Sequence, residues 1–168
     1  MTLDVERLFL DTEFIEDGHT IELLSIAVVS EDGQEFYAEN LDADLTRANE
    51  WVKANVIPHL DLDRHGIHLH EIGEALRYWV GATETHLPEF WAYYGDYDWV
   101  VTCQLFGRMI DLPPHWPMFC MDVKQLCVSL GDPPLPPQST TEHHALADAR
   151  WTLEAYRFLT GDPGSAAS

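Results

Sequence analysis

Short apolar runs separated by polar, Gly-bearing stretches fill the first forty residues, a pattern that suits strands rather than helices. Residues 8–14, Leu-Phe-Leu-Asp-Thr-Glu-Phe, read as a buried strand; residues 21–29 and 34–39 read as a second and a third. Asp-Gly pairs in the intervening stretches 15–20 and 31–33 mark turns, so the three strands predict an antiparallel meander. Beyond them the period lengthens. Residues 44–56 predict a helix closed by Pro58, and residues 69–80 place Leu69, Ile72, Leu76 and Trp79/Val80 on one helical stripe. A fourth strand is expected over 89–94, followed past Asp96-Tyr-Asp98 by an apolar helix over 99–109. Pro113, Pro114 and Pro117 mark a loop, 118–121 suit a fifth strand, and Asp122 is placed to cap a helix over 123–130. After the extended Pro-rich stretch 132–137 comes a last helix over 145–159. Three strands followed by alternating helices and strands predict an α/β fold, a mixed sheet of about five strands flanked by helices. A single domain over residues 1–160 with a frayed tail at 161–168 is expected.

Composition narrows the functions available. The 168 residues include 29 Asp and Glu against nine Lys and Arg, a formal charge of −20. Such a surface disfavours a basic groove tracking nucleic-acid phosphates, the usual source of affinity for that polymer. A polyanion remains a feasible substrate where bound cations supply positive charge locally, and it would be gripped over only a few nucleotides. Adaptation to high salt or plain solubility explains the acidity equally well. No apolar run approaches a membrane span and the start lacks the layout of a signal peptide. Cys103, Cys120 and Cys127 form no CxxC pair, which suits free thiols in a reducing cytoplasm.

Candidate chemistry begins in the first strand. Alternation puts Asp11 and Glu13 on one face beside Phe9, where two carboxylates repel each other unless a hard cation such as Mg²⁺ or Mn²⁺ relieves them. The pair is weak evidence alone, because four other acid-x-acid pairs occur: Asp4/Glu6, Asp42/Asp44, Asp61/Asp63 and Asp96/Asp98. The last helix carries a sharper anomaly. At about 100° per residue, Arg150, Glu154 and Arg157 share one side while Asp148 falls inside the apolar arc. A carboxylate there is costly unless it is hydrogen-bonded, neutralised or bound to a metal. His59, His65, His68 and His70 invite a metal reading too, but no Cys is near and the spacing matches no structural zinc site. A solvated loop leading into the helix at 69–80 is the expectation there.

Taken together, Phe-Leu-Asp11-Thr-Glu13-Phe, Tyr94-Gly-Asp-Tyr-Asp98 and His143-His-Ala-Leu-Ala-Asp148-Ala-Arg resemble the three motifs of DEDDh 3′–5′ exonucleases, in order and over nearly the whole chain. The resemblance is closest to the small actinobacterial exoribonucleases of the mycobacterial type. It implies a ribonuclease H-like fold, Asp11, Glu13, Asp98 and Asp148 as ligands of two Mg²⁺ or Mn²⁺ ions, and His143 as general base. Tyr94 stands where the family's second motif commonly has Asn. Thr12, Phe14 and Tyr94 are the candidate substrate contacts, with plain core packing the alternative for both aromatics. The implied activity is release of nucleoside 5′-monophosphates from RNA 3′ ends, including adenylate-rich ends or 3′ overhangs, by a homodimer in the cytoplasm. A proofreading-like DNA exonuclease of the same family and a non-catalytic binding module are the alternatives. The motifs do not separate RNA from DNA, since the chemistry acts on the phosphate.

Overall fold

The computed structural model describes residues 3–138 and 142–162. Its centre is β1 (Asp4–Glu16), hydrogen-bonded on one side to antiparallel β2 (Ile21–Ser30) and on the other to parallel β5 (His86–Ala92). Pairing on both edges extends this strand well past residues 8–14. The second strand continues antiparallel to β3 (Glu35–Asn40), which completes the meander read from the turns. Two two-residue strands finish the sheet, β4 (Gly66–Ile67) beside β3 and β6 (Met121–Asp122) beside β5, both parallel. The order is β4-β3-β2-β1-β5-β6, six strands where about five were expected.

Alternation along β1 sorts its side chains onto two helical layers. Leu8 and Leu10 pack with Ile72 and Leu76 of α3 (Leu69–Val80) and with Trp99 of α4 (Asp96–Gln104). Phe9 faces the opposite way, onto Ala145, Ala149 and Tyr156 of α6 (Ala145–Thr160) and Val123 of α5 (Val123–Ser129). Phe9 is fully buried, a contribution of about 2–3 kcal/mol from transfer alone. A bulge between Glu13 and Phe14 leaves Leu24 as the extra residue on β2. Leu24 joins Ile15 in a smaller cluster with Val52 and Val56, at the short helix α1 (Glu50–Asn55).

Several elements differ from expectation for local reasons. Residues 44–56 do not form one helix, because two side chains cap in succession. Asp44 accepts from the Thr46 N–H at the 3₁₀ turn Leu45–Arg47, Ala48 turns extended, and Asn49 accepts from the Val52 N–H to start α1 afresh. Pro58 then lies inside a second 3₁₀ turn, Ile57–His59, rather than ending a helix. The stretch expected as a loop before residue 69 holds α2 (Leu62–His65) as well as β4. The fourth strand slides to His86–Ala92 because it pairs residue by residue with Asp4–Phe9, so Tyr93 and Tyr94 leave the sheet. The helix expected over 99–109 starts at Asp96 and stops at Gln104, which draws Asp98 into its first turn. At the end of α6, Gly161 is a left-handed cap; residues 163–168 of the expected tail lie outside the described residues. Cys103, Cys120 and Cys127 are unpaired, and no described helix is long and apolar enough to cross a membrane.

Candidate active site

The row that buries Phe9 continues along β1 to Asp11 and Glu13, just where the strand leaves the core. Asp98 arrives from the opposite layer. The turn into its helix needs Gly95, since a Cβ there would lie 2.5 Å from the Ala92 Cβ. The Gly95 N–H donates to Asp122 Oδ2 at 3.0 Å, while Asp122 Oδ1 caps α5 by accepting from the Gln125 N–H. Asp98 Oδ1 is then fixed by two donors from β1, the Thr12 N–H at 2.8 Å and Thr12 Oγ1 at 2.6 Å. Asp148 occupies the first turn of α6 and is buried, as its position in the apolar arc requires, while Arg150 reaches outward to Glu35. Its Oδ2 accepts the His143 N–H at 2.9 Å, and the Gln138 side-chain amide donates to Oδ1.

These groups meet in one cavity of about 240 Å³, lined by Asp11, Thr12, Glu13, Phe14, Trp51, Val56, Asp98, His143 and Asp148. Ligand atoms of Glu13, His143 and Asp148 lie within 4.8 Å of one another. The volume falls below the roughly 300–1,000 Å³ of ordinary small-molecule pockets, so a ligand larger than its reacting group must extend outside. A roomier cleft of about 310 Å³, lined in part by Thr20, Leu23, Arg47 and Leu105, gathers no comparable set of titratable groups. Chemistry, not size, selects the site.

Electrostatics make the cavity unstable as a bare anion. Burial pushes the Asp11 carboxyl well above its usual range, and Asp98, Glu13 and Asp148 push it further. Burial and the charges of Asp148 and Asp98 raise Glu13 to about 8. Asp98 rises to about 6 through burial, opposed by its two bonds from Thr12. Burial also raises Asp148, against the donors from Gln138 and His143. Clustered carboxylate oxygens are hard donors, and a divalent cation would remove both the desolvation and the repulsion, so the residues present fit such an ion.

A pH dependence follows. Between the ordinary Glu13 value of 4.5 and its folded value of about 8, the native state holds more protons than the unfolded chain. The contribution of Glu13 to the stability of the metal-free protein is therefore most favourable below that window and falls as pH rises through it. Calorimetry in chelator should show the melting temperature dropping between pH 5 and pH 8.5, with Glu13→Gln flattening the drop. A divalent cation should restore more stability at the alkaline end. A cation increment independent of pH would contradict the assignment.

The structure brings Asp11, Glu13, Asp98, Asp148, His143, Thr12 and Phe14 together and leaves Tyr94 out. Tyr94, at φ +57°, is 64% exposed and packs edge-on against Tyr93. Thr12 lines the cavity, but both its donors are committed to Asp98. Phe14 meets the Tyr97 ring at 5.8 Å. Sequence reasoning missed Trp51, which stands edge-on to the His143 imidazole at 4.7 Å, and Gln138. A large aromatic amid polar neighbours in Asn-Glu-Trp-Val-Lys was the available signal for Trp51; Gln138 offered none. Among the described residues, His59, His65, His68 and His70 form no metal-capable group; His68 bonds Asp42 at 2.9 Å.

Comparison with known proteins adds an independent line. The family model for the Rv2179c-like 3′–5′ exoribonuclease domain matches residues 6–160. The 3′–5′ exoribonuclease Rv2179c of Mycobacterium tuberculosis H37Rv is 45% identical over 161 residues, 92% of this chain and 93% of that protein. A counterpart in M. tuberculosis CDC 1551, 3′–5′ exoribonuclease MT2234.1, matches to the same extent. Among solved structures, a 3′-exonuclease that recognises the histone mRNA stem-loop superposes with a TM-score of 0.60 at 12% identity. Cell-death related nuclease 4 superposes with a TM-score of 0.54 at 13% identity. Each match covers 96% of this chain but only 65% of the solved one, and at such identity the likeness speaks for the fold, a mixed sheet flanked by helices.

Proposed function

This chain belongs to the Rv2179c-like family of 3′–5′ exoribonucleases, and we propose from that premise that Asp11, Glu13, Asp98 and Asp148 hold two divalent cations, Mg²⁺ or Mn²⁺. The observation that carries the reading is the convergence of four acids and one histidine, from three distant stretches of chain, on a single cavity. Bound there, the cations supply the positive charge that an RNA 3′ end lacks in this acidic surface and favour ionisation of the attacking water.

The chain's own residues do the rest. Thr12 holds Asp98 by two bonds, so this carboxylate enters the site in one orientation. Asp148 is steadied by Gln138 and by the His143 N–H, which also sets the distance between the two side chains. His143 accepts a proton from water as general base, and the product is a nucleoside 5′-monophosphate. Phe14, which lines the cavity and packs on Tyr97, is the aromatic that meets the terminal base in this reading, since Tyr94 is not part of the cavity lining. Basic side chains are few and mostly committed, as Arg47 is to Asp17 and Glu22, so the grip is short. Residues 1–160 form one catalytic domain in this reading, acting as a cytoplasmic homodimer. Free cysteines suit that compartment, and the motif resemblance supports the dimer.

5′-labelled RNA incubated with Mg²⁺ should shorten from its 3′ end in single-nucleotide steps and stop on adding chelator. Matched DNA, run alongside, should be cleaved more slowly. Intact RNA in the presence of folded, cation-loaded protein would overturn the proposal.

A further inference from the structure

Cross-strand pairing extends the catalytic face two strands beyond Asp11 and Glu13. Glu13 lies opposite Ser25, which lies opposite Glu39; Asp11 lies opposite Ala27, which lies opposite Tyr37. Tyr37 and Glu39 thus share the face of the acidic pair, about 10 Å away at the usual strand spacing. Glu39 is fully buried. Its carboxylate accepts the Tyr37 hydroxyl at 2.7 Å and the Asp61 N–H at 2.8 and 3.0 Å. A buried carboxylate is costly and loses stability when any partner is removed, so its bonds define one position for the phenol.

That ring is a platform. His144 lies flat on Tyr37, centroids 5.0 Å apart and planes 21° apart, and the His65 ring meets Tyr37 edge-on at 5.1 Å. His144 Nδ1 also accepts the Leu146 N–H at 3.2 Å, capping α6. With ring and cap both fixed, the backbone of His144 is held. The preceding residue, His143, sits at φ +68°, a left-handed conformation that costs a β-carbon-bearing residue about 1 kcal/mol and persists only where the surroundings impose it.

We infer that Tyr37, fixed by Glu39, is a positioning residue that acts through His144 to hold His143 in this conformation, facing the cavity. The inference rests on the reading of His143 as general base. It gives the bond between half-buried Tyr37 and buried Glu39 a purpose beyond the packing of the Tyr37 ring against the core of α6.

The test is steady-state cleavage of a short RNA by the full chain, with Mn²⁺ affinity measured by calorimetry. His144→Asn keeps a helix-capping oxygen and removes the ring; His144→Phe keeps the ring and removes the cap. Tyr37→Leu removes the platform. Tyr37→Leu and His144→Asn should each lower kcat by about tenfold or more, as small misplacements of a catalytic group do, with KM and Mn²⁺ affinity within about twofold. His144→Phe should recover most of the kcat lost in His144→Asn. Unchanged kcat in His144→Asn, or a fall in Mn²⁺ affinity matching the fall in kcat, would overturn the inference; His144→Asn decides the matter even where Tyr37→Leu fails to fold. Full activity in His143→Ala would instead remove the base assignment itself, a distinguishable failure.

Discussion

Asp11→Asn should lower RNA cleavage by about three orders of magnitude or more while raising the melting temperature of the chelated protein. Both effects have one cause. Asp11 is raised well above its usual range, first by burial and then by Asp98, Glu13 and Asp148 together. In the absence of cations its charge works against folding; in their presence it is a ligand. Replacing it by the isosteric amide relieves repulsion at pH 8, a gain of about 1 kcal/mol or roughly 2–4 °C in a chain this size. The same change removes a ligand that no nearby group replaces. Thermal melts with and without Mn²⁺, run beside the cleavage assay, check both halves. A variant that is inactive and less stable in chelator would point to a structural Asp11.

His143→Ala should lower kcat by about 10²–10⁴-fold, the range for loss of a general base, and leave cation binding nearly intact. Its side chain lines the cavity, whereas the bond that steadies Asp148 comes from its backbone N–H, which alanine keeps. Because residue 143 is at φ +68°, alanine still bears a β-carbon there and adds no new conformational freedom of the glycine kind. Single-turnover cleavage and Mn²⁺ calorimetry separate the two effects. Lost cation affinity alongside lost rate would mean that the imidazole is a ligand rather than the base.

The parts of this site legible in the sequence were those with a local physical signature. Asp11 and Glu13 follow Phe9 at strand spacing, and Asp148 stands out because a charge inside an apolar arc demands a partner. Asp122 announced itself as a cap, and the helix at residues 69–80 has the expected bounds, with Ile72, Leu76 and Val80 of its stripe buried and Leu69 exposed. What could not be read depends on contacts across the chain. The fourth strand was placed three residues late because its register is set by pairing with β1, not by its own apolar content. Tyr94 therefore lies outside the sheet and is not part of the cavity lining, although its sequence neighbourhood resembles a motif. Trp51, Gln138 and the Tyr37–His144 stack join residues that no periodicity relates. The helix at 44–56 failed for a subtler reason: Asp44 and Asn49 both have capping side chains, and both use them.

Anomalous diffraction from crystals of the full chain soaked with Mn²⁺ and a nucleoside 5′-monophosphate bears most directly on the convergence of Asp11, Glu13, Asp98 and Asp148. Two manganese peaks among those four carboxylates, with the nucleotide phosphate against them and His143 facing it, are expected. Manganese bound elsewhere with this cavity empty, or a single ion that leaves Asp98 or Asp148 without contact, would contradict it.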